Sequence, residues 1–277
     1  MTQVPKYHFI SGLPRSGSTL LAAVLNQNPA FRAAMSSPVF NVVNAALTAM
    51  GTSNEYAIFL DDTQLAAMLR GLMDGYYNTP IPVIFDTNRM WTARLPALRQ
   101  LYPQAKVIAC VRNPAWILDS VETLLRKTPL VATRLFGAPM EQISVYARAD
   151  GLMDKQRLLG SAYQALREAY HGADAGAMLL LDYDTFVRHP QDAMTLIYQF
   201  LEEPAFAHDF DQVTYQAEAF DTQLLAKGLH DVTGRVKPRP RPTILPPDLF
   251  KRFAALQFWG KGDSLAYAIT QATVPQG

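Results

Sequence analysis

The 277-residue sequence contains only one cysteine, Cys110. A single cysteine excludes an internal disulfide and any metal site built from several cysteines. Its position inside the apolar run 107–111 predicts a buried thiol in the protein core. Long apolar runs are missing as well, and none approaches the roughly 20 residues that a membrane-spanning helix needs.

Charge is also scarce and nearly balanced in sign. Charged residues make up 18% of the chain, and the formal net charge is +1 at pH 7. This balance argues against general nucleic-acid binding, so any anion site must be local. The polar residues 1–7 lead directly into the first apolar stretch and lack the pattern of a secretory signal. We therefore expect a cytoplasmic protein without a membrane span.

The hydrophobic fraction of 49% is high enough for a sizeable folded core. Apolar runs that predict strands alternate with helical patterns, and no internal repeat is visible. This alternation predicts an α/β fold with three layers, in which a parallel sheet with right-handed crossovers is flanked by helices. We expect a single domain over 1–277, with helical inserts at about 39–76 and 128–170 and a basic, proline-rich segment at 228–247.

Strand and helix patterns can be assigned along most of the first 200 residues. The predicted strands are 7–10, 31–35, 83–86, 106–111 and 178–181. After a first helix that begins near Leu20, the predicted helices are 39–50, 62–76, 92–101, 114–126, 140–170 with a break near Gly160, and 190–201. Ligands of parallel α/β sheets bind at the carboxyl ends of the strands, which is where the motifs described next lie.

The first strand leads into a glycine-bounded loop and then a helix. Backbone N–H groups without partners converge at such a helix start, at the positive end of the helix dipole. Glycines at both ends of the loop let a phosphate approach the main chain. The arrangement predicts an anion site formed by Gly12, Pro14, Arg15, Ser16, Gly17, Ser18 and Thr19.

The spacing of this loop is that of the nucleotide-binding P-loop, with one change. Ser18 occupies the position of the lysine that reaches the β- and γ-phosphates, and the cation is Arg15 inside the loop. We therefore do not expect the usual handling of ATP with magnesium. The loop resembles the 5′-phosphosulfate-binding loop of sulfotransferases, particularly its Pro-Arg-Ser-Gly version in Golgi tyrosylprotein sulfotransferases. The resemblance implies a P-loop NTPase-like sulfotransferase fold.

Two later segments resemble the same family. Arg112 follows a predicted strand, and Ser120 lies eight residues further along. In sulfotransferases this arrangement holds the 3′-phosphate of the donor, 3′-phosphoadenosine 5′-phosphosulfate (PAPS), although Ser120 could instead face solvent. Residues 180–190 resemble the Tyr-Glu-Asp-Leu stretch of the family, with Asp184 in place of the glutamate. That resemblance places Tyr183 on or near the adenine; a core tyrosine is the alternative.

The basic segment 228–247 contains five prolines. In family members a C-terminal basic loop closes over the donor and completes the 3′-phosphate site, so the resemblance implies donor contacts from Arg235 and Lys237. The alternative is a solvated linker whose charges only confer solubility. His230 either lines the substrate cleft or has a structural role.

Sulfuryl transfer is an in-line displacement that parallels phosphoryl transfer, with charge growing on the leaving phosphate. Arg15 and the loop N–H groups are expected to stabilise that charge. The product 3′,5′-diphosphoadenosine is a good leaving group, so we expect no metal to be needed. A hydroxyl acceptor still benefits from a general base.

The identity of the base is left open by the resemblance. Tyrosylprotein sulfotransferases carry a glutamate just after the first helix, where this chain reads Met-Ser-Ser at 35–37. Asp86, at the end of a predicted strand, is the best-placed carboxylate, and its alternative role is to cap the next turn. Arg89 and Trp91 either contact the sulfate or the acceptor, or are a surface arginine and a packing tryptophan.

We therefore expect a metal-independent, PAPS-dependent sulfotransferase. Its acceptor would be the hydroxyl of a small molecule, glycan or peptide, and no nucleic-acid partner is expected. A P-loop kinase for a nucleotide or small molecule is a second interpretation. A nucleotide-binding module that has lost its base is a third. The sequence leaves the acceptor and the oligomeric state open.

Overall fold

The computed structural model describes residues 5–50, 55–127, 130, 133–260, 262–271 and 273. The remaining positions of the predicted N-terminal stretch, of both helical inserts and of the C-terminus lie outside the described residues. The strands are β1 Lys6–Gly12, β2 Phe31–Ala33, β3 Val83–Thr87, β4 Val107–Val111, β5 Met178–Asp182, β6 Val213–Tyr215, β7 Val232–Gly234 and β8 Tyr267–Ile269.

Six of these strands form one sheet in the order β2-β3-β1-β4-β5-β8. Each neighbouring pair in this sheet is parallel. β6 and β7 form a separate antiparallel pair. The carboxyl ends of all six parallel strands therefore lie along one edge, where ligands of such sheets bind.

Helices connect and flank the strands. They are α1 Ser18–Leu25, α2 Val39–Ala49, α3 Asp62–Tyr77, α4 Leu95–Leu101, α5 Pro114–Leu125, α6 Val145–Met153, α7 Leu158–His171, α8 Tyr183–Arg188, α9 Pro190–Leu201, α10 Glu218–Gln223 and α11 Pro247–Ala254. Short 3-10 helices lie at Glu55–Phe59, Trp91–Arg94, Pro139–Gln142 and Ala175–Ala177. No helix among the described residues is long and apolar enough to cross a membrane.

Two hydrophobic clusters cover the two faces of the large sheet. On β1, Phe9 belongs to one cluster and the next residue, Ile10, belongs to the other. Successive strand residues point to opposite faces, so both faces of the sheet are buried. Cys110 on β4 is fully buried in the second cluster, and burial raises the pKa of its thiol to about 12. The predicted three-layer α/β fold and the buried thiol are both confirmed.

Several element boundaries differ from the prediction. The helix predicted at 92–101 begins as the 3-10 turn Trp91–Arg94 and becomes α-helical only at Leu95. The helical stretch predicted at 140–170 breaks at 154–157, between α6 and α7, and Gly160 lies inside α7. A Cβ at Gly160 would run into the carbonyl oxygens that end α6. This glycine therefore permits close packing and does not break the helix.

Candidate functional site

A cavity of about 800 Å³ opens at the carboxyl edge of the sheet. The loop after β1, the residues after β3 and β4, the start of α8 and the segment 228–239 all contribute to its wall. The glycine loop, Arg112 and Tyr183 thus border a single space. The site can be built from these pieces in turn.

The loop between β1 and α1 requires glycine at both ends. Gly12 has a φ of 102°, and a Cβ there would run into the carbonyl oxygen of Cys110 on β4. Gly17 has a φ of 90°, and a Cβ there would lie 2.7 Å from Cδ2 of Tyr183. Between them Arg15 adopts a φ of 58°, which is uncommon for a residue other than glycine. Left-handed backbone of this kind clusters at ligand sites.

The loop residues take different positions relative to the cavity. Pro14, Ser18 and Thr19 line it together with the two glycines. Ser16 is buried and does not line it, and its hydroxyl donates to the carbonyl oxygen of Pro14 at 3.4 Å. Ser16 therefore supports the shape of the loop, while its neighbours face the cavity.

The side chain of Arg15 crosses the cavity to two other elements. Its Nε donates to Ser120 Oγ on α5 at 3.3 Å, and one terminal nitrogen donates to the carbonyl oxygen of Leu229. Burial lowers the pKa of this guanidinium; Arg112 lowers it further, whereas Tyr183 opposes the change. The charged form is therefore poorly solvated in this structure, and an anion in the cavity would stabilise it.

Arg112 lies at the end of β4, beside Tyr183. Its guanidinium is 4.4 Å from the centre of the tyrosine ring and 3.6 Å from Asp184 Oδ1. The buried Nε of Arg112 has no hydrogen-bond partner among the described residues. An unpaired buried donor is costly, so this nitrogen suits an incoming acceptor oxygen such as that of a phosphate.

Helix starts position Ser120 and Tyr183. Asn113 caps α5 by accepting from the backbone N–H of Ala115 at 3.0 Å, which fixes the helix that carries Ser120. Asp182 caps α8 by accepting from the backbone N–H of Thr185 at 2.9 Å, so Tyr183 is the first residue of that helix. Arg112, Ser120 and Tyr183 therefore line the cavity together.

The cavity wall is strongly cationic. Only Asp231 contributes a carboxylate among the described lining residues. The cationic side chains that face it are Arg15, Arg89, Arg112, Arg134, Arg157, Arg235, Lys237 and Arg239. A concave surface of one charge sign concentrates ligands of the opposite sign. In this nearly neutral chain, positive charge is thus concentrated locally at the cavity.

The segment 228–247 forms one side of this wall. Lys237 and Arg235 both line the cavity and are exposed. Nε of Arg235 lies 2.9 Å from Asp211 Oδ1, also an exposed group. Such surface pairs contribute little energy, so Arg235 remains available to a ligand.

Two predicted site residues lie in the core instead of the cavity. Asp86 is fully buried and accepts hydrogen bonds from Ser37, Tyr77 and Trp91, at 2.5, 2.6 and 2.6 Å. Burial raises the pKa of this carboxyl, whereas its three hydrogen bonds oppose the rise. Neither Asp86 nor Trp91 lines the cavity. The geometry thus contradicts Asp86 as the base and Trp91 as an acceptor contact, because both are committed to a buried network.

Arg89 and His230 do reach the cavity. Arg89 is exposed, and its carbonyl oxygen accepts from Ser11 Oγ at 2.9 Å, which ties the end of β3 to β1. His230 lines the opposite part of the wall, and its Nδ1 lies 2.5 Å from Oδ1 of the buried Asp221. Asp221 was not predicted from the sequence. It precedes His230 by nine residues on the short helix α10, and no regular spacing marks such a pair.

Among the described residues, no group of three or more histidine, cysteine, aspartate or glutamate side chains is arranged to hold a metal ion.

Comparisons with solved structures found several sulfotransferases, one of them with a TM-score above 0.5. The sulfotransferase domain from the curacin biosynthetic pathway superposes with a TM-score of 0.51 at 15% identity, covering 91% of this chain and 97% of that one. The sulfotransferase domain of the Synechococcus PCC 7002 olefin synthase gives 0.47 at 18% identity, covering 91% and 94%. Sulfotransferase STF9 from Mycobacterium avium gives 0.46 at 16% identity, and this chain spans 66% of its length.

A comparison with curated proteins found no match. The sequence model described as the Sulfotransferase family matches residues 8–208, which include the glycine loop, Arg112, Ser120 and Tyr183. The match covers most of the chain. This protein therefore belongs to the sulfotransferase family.

Proposed function

We propose that the protein transfers a sulfuryl group from PAPS to a hydroxyl acceptor. The observation that carries this proposal is the buried Nε of Arg112, which has no hydrogen-bond partner in the described part of the chain and belongs to a residue of the same cavity wall as the glycine loop. Two separate anion-binding features on one cavity match a donor with two separate anionic groups. Members of the sulfotransferase family generally use PAPS, which supports the choice of donor.

Each lining residue has a proposed role toward the donor. The loop from Gly12 to Thr19 would bind the 5′-phosphosulfate, with Ser16 supporting its shape. Arg112 and Ser120 would hold the 3′-phosphate, and Tyr183 would contact the adenine. Exposed basic side chains of the segment 228–247 would complete the 3′-phosphate site. When bound, PAPS supplies an activated sulfuryl group whose leaving phosphate accumulates negative charge during transfer.

Arg15 is the proposed catalytic cation. Its guanidinium can stabilise the charge that develops on the leaving phosphate, because it lies inside the loop and no carboxylate of the described residues is in direct contact with it. Arg89, exposed at the end of β3, is the proposed contact for the sulfate or the acceptor. The reaction is proposed to need no metal and to take place in the cytoplasm.

The acceptor is proposed to be a small-molecule, glycan or peptide hydroxyl that enters beside the inserts. The lining residues Leu135, Phe136 and Leu158 belong to the 128–170 insert and add apolar surface beside Arg134 and Arg157 of the same insert. An apolar wall with a few polar groups is typical of small-molecule sites. The alternative function to test is that of a P-loop kinase. Ser18 in the position of the P-loop lysine counts against that alternative.

A thermal-shift experiment tests the donor assignment. Diphosphoadenosine should raise the melting temperature of the purified protein, and EDTA should leave that shift unchanged. ATP with magnesium should give a smaller shift, because it lacks the 3′-phosphate that Arg112 would contact. A shift produced only by ATP with magnesium would contradict the proposal.

A further inference from the structure

His230 and Asp221 form a pair at the cavity wall. The Nδ1 atom of His230 lies 2.5 Å from Asp221 Oδ1, and the backbone N–H of His230 donates to Asp221 Oδ2 at 3.0 Å. Asp221 is almost fully buried, whereas the His230 side chain keeps about a fifth of its surface exposed. The other ring nitrogen, Nε2, has no hydrogen-bond partner among the described residues. One ring nitrogen is therefore fixed and the other is available.

Three further contacts hold this pair in place. The backbone N–H of Ala226 donates to the carbonyl oxygen of Asp221 at 3.0 Å, which closes the turn after α10. The Phe220 ring packs edge-on against the imidazole, with centroids 5.5 Å apart. Arg15 donates to the carbonyl oxygen of Leu229, the residue before His230. The chain segment that carries the imidazole is therefore hydrogen-bonded to Arg15, the proposed catalytic cation.

The cavity offers few other candidates for a base. Asp86 is buried and accepts three hydrogen bonds outside the cavity wall. Asp231 lines the cavity, but it is exposed to solvent and has no part in the buried network around Asp221. A histidine titrates near neutrality, which suits general-base work. A buried carboxylate on Nδ1 fixes the tautomer that leaves a lone pair on Nε2.

We propose that His230 is the general base of sulfuryl transfer and that Asp221 is its positioning residue, an assignment that rests on the proposed function. Nε2 accepts the proton of the acceptor hydroxyl as the acceptor oxygen forms its bond to sulfur. The bond between sulfur and the bridging oxygen breaks, and its electron pair leaves with diphosphoadenosine. Asp221 stabilises the imidazolium that results.

The charges around the pair determine the expected pH dependence. The charged groups around the imidazole are the carboxylates of Asp221 and Asp231, and Arg15 among the cations of the cavity wall. A base must be neutral before the reaction, so the transfer rate should fall at acidic pH, where an imidazole is protonated. If His230 were only a cationic contact for the donor, the rate would rise over the same range.

Single-turnover transfer from radiolabelled PAPS tests the assignment with two probes. Benzyl alcohol needs a base, whereas 4-nitrophenol is largely ionised in mildly alkaline buffer. His230→Asn should slow transfer to benzyl alcohol by about 10²–10⁴-fold and transfer to 4-nitrophenolate by less than about tenfold. Asp221→Asn should lower the rate and shift the pH profile. His171→Asn, an exposed position that does not line the cavity, is the matched control and should change neither.

Two further measurements separate the possible failures. Affinity for diphosphoadenosine should stay within about threefold in His230→Asn, since the proton transfer is made only during reaction. Equal loss with both probes, or a collapse of that affinity, would overturn the base assignment and make His230 a donor contact. If the wild-type protein neither binds diphosphoadenosine nor transfers sulfate, the proposed function itself fails.

A readout without any acceptor completes the test. Nitrogen NMR of labelled histidine, assigned with His230→Asn, should show the proton of the neutral ring on Nδ1 and a free lone pair on Nε2 in mildly alkaline buffer. A ring that carries protons on both nitrogens, or on Nε2 alone, under those conditions would overturn the proposal.

Discussion

At the scale of single residues, Arg15 distinguishes this chain from nucleotide-hydrolysing P-loop proteins. Arg15 has a φ of 58° and lines the cavity, where its side chain contacts Ser120 Oγ and the carbonyl oxygen of Leu229. Arg15→Ala should reduce single-turnover transfer by roughly 10²–10³-fold, the scale found on deleting one preorganised stabilising donor. Donor affinity should fall much less, because the loop N–H groups and Arg112 remain.

Arg15→Lys provides the matched control for this prediction. A lysine restores the point charge but not the planar fork, so it should recover only part of the rate. Transfer kinetics and diphosphoadenosine binding are measured on all three proteins. If diphosphoadenosine binding is lost but the single-turnover rate at saturating donor is unchanged, Arg15 only binds the donor. Arg89 then becomes the candidate for the catalytic cation.

Arg112 makes a second prediction at this scale. Its Nε has no partner among the residues that the structure describes, and its guanidinium lies over the Tyr183 ring; both predict a contact to one phosphate of the donor. Arg112→Ala should weaken diphosphoadenosine binding by about 1.5–3 kcal/mol, the usual value of a charge-assisted hydrogen bond. Adenosine 5′-monophosphate lacks the 3′-phosphate and should lose much less affinity. Equal weakening of both ligands in calorimetry would show that Arg112 is structural.

At the scale of secondary-structure elements, Glu122 joins α5 to α6. This nearly buried carboxylate receives two hydrogen bonds of 2.7 Å from Arg148 and one of 2.9 Å from Arg126. Burial on its own would raise the pKa of Glu122, but the hydrogen bonds from Arg148 and Arg126 outweigh it, so the pKa is lowered. The hydrogen bonds of Glu122 with Arg148 and Arg126 thus stabilise α5, the helix that carries Ser120.

The lowered pKa of Glu122 sets the sign of the pH effect. Its contribution to stability is present above the unfolded-state pKa, about 4.3, and is lost as the pH falls through the lower folded-state pKa. Glu122→Gln should reduce the unfolding free energy by about 2 kcal/mol at neutral pH, less than for a fully buried pair because Arg126 is half exposed.

Denaturant titrations across a pH series measure this effect. The difference in unfolding free energy between the wild type and Glu122→Gln should become smaller below about pH 4. Glu168→Gln on the exposed face of α7 is the control and should show no such gap. If the difference in unfolding free energy stays constant down to acidic pH, the substitution acts through packing and not through the charge of Glu122.

The predictability of the elements follows their local signals. β1, its loop and α1 were predicted because an apolar run, two glycines and a helical apolar face follow one another. β8 was missed because Tyr267–Ile269 has only three residues and its pairing with β5 spans almost 90 positions of sequence. The antiparallel pair of β6 and β7 was missed for a related reason: each strand is three residues long, and the partner supplies its hydrogen bonds.

Part of the site could also be predicted from local signals in the sequence. Arg112 and Tyr183 follow strands directly, and parallel strands bring their carboxyl ends together, so position along the chain was enough. Asp86 is the second-last residue of β3, but its side chain points to the face covered by Tyr77 and Trp91. Strand alternation gives two faces, and the sequence did not show which one meets the ligand. The pairing of His230 with Asp221 depends on a turn without a sequence signature.

At the scale of the whole molecule, the basic segment 228–247 is attached to α5 by Asp119. This fully buried carboxylate accepts from the hydroxyl of Thr243 at 2.8 Å and from the backbone N–H of Ile244 at 2.7 Å, and it forms an ion pair with Arg241. Ser120 is the next residue along α5. One helix turn therefore positions both a proposed phosphate contact and the segment that carries Arg235 and Lys237.

This attachment predicts a coupled loss of order and donor affinity. Asp119→Asn keeps an acceptor oxygen for Thr243 and Ile244 but removes the charge that pairs with Arg241. Amide exchange should therefore become faster over 230–245, and diphosphoadenosine should bind about tenfold more weakly, a change of about 1.4 kcal/mol. Saturating diphosphoadenosine should restore part of the protection, because the ligand favours the ordered segment. Asp192→Asn, half exposed on α9, is the control. Faster exchange with unchanged affinity would show that the segment does not contact the donor.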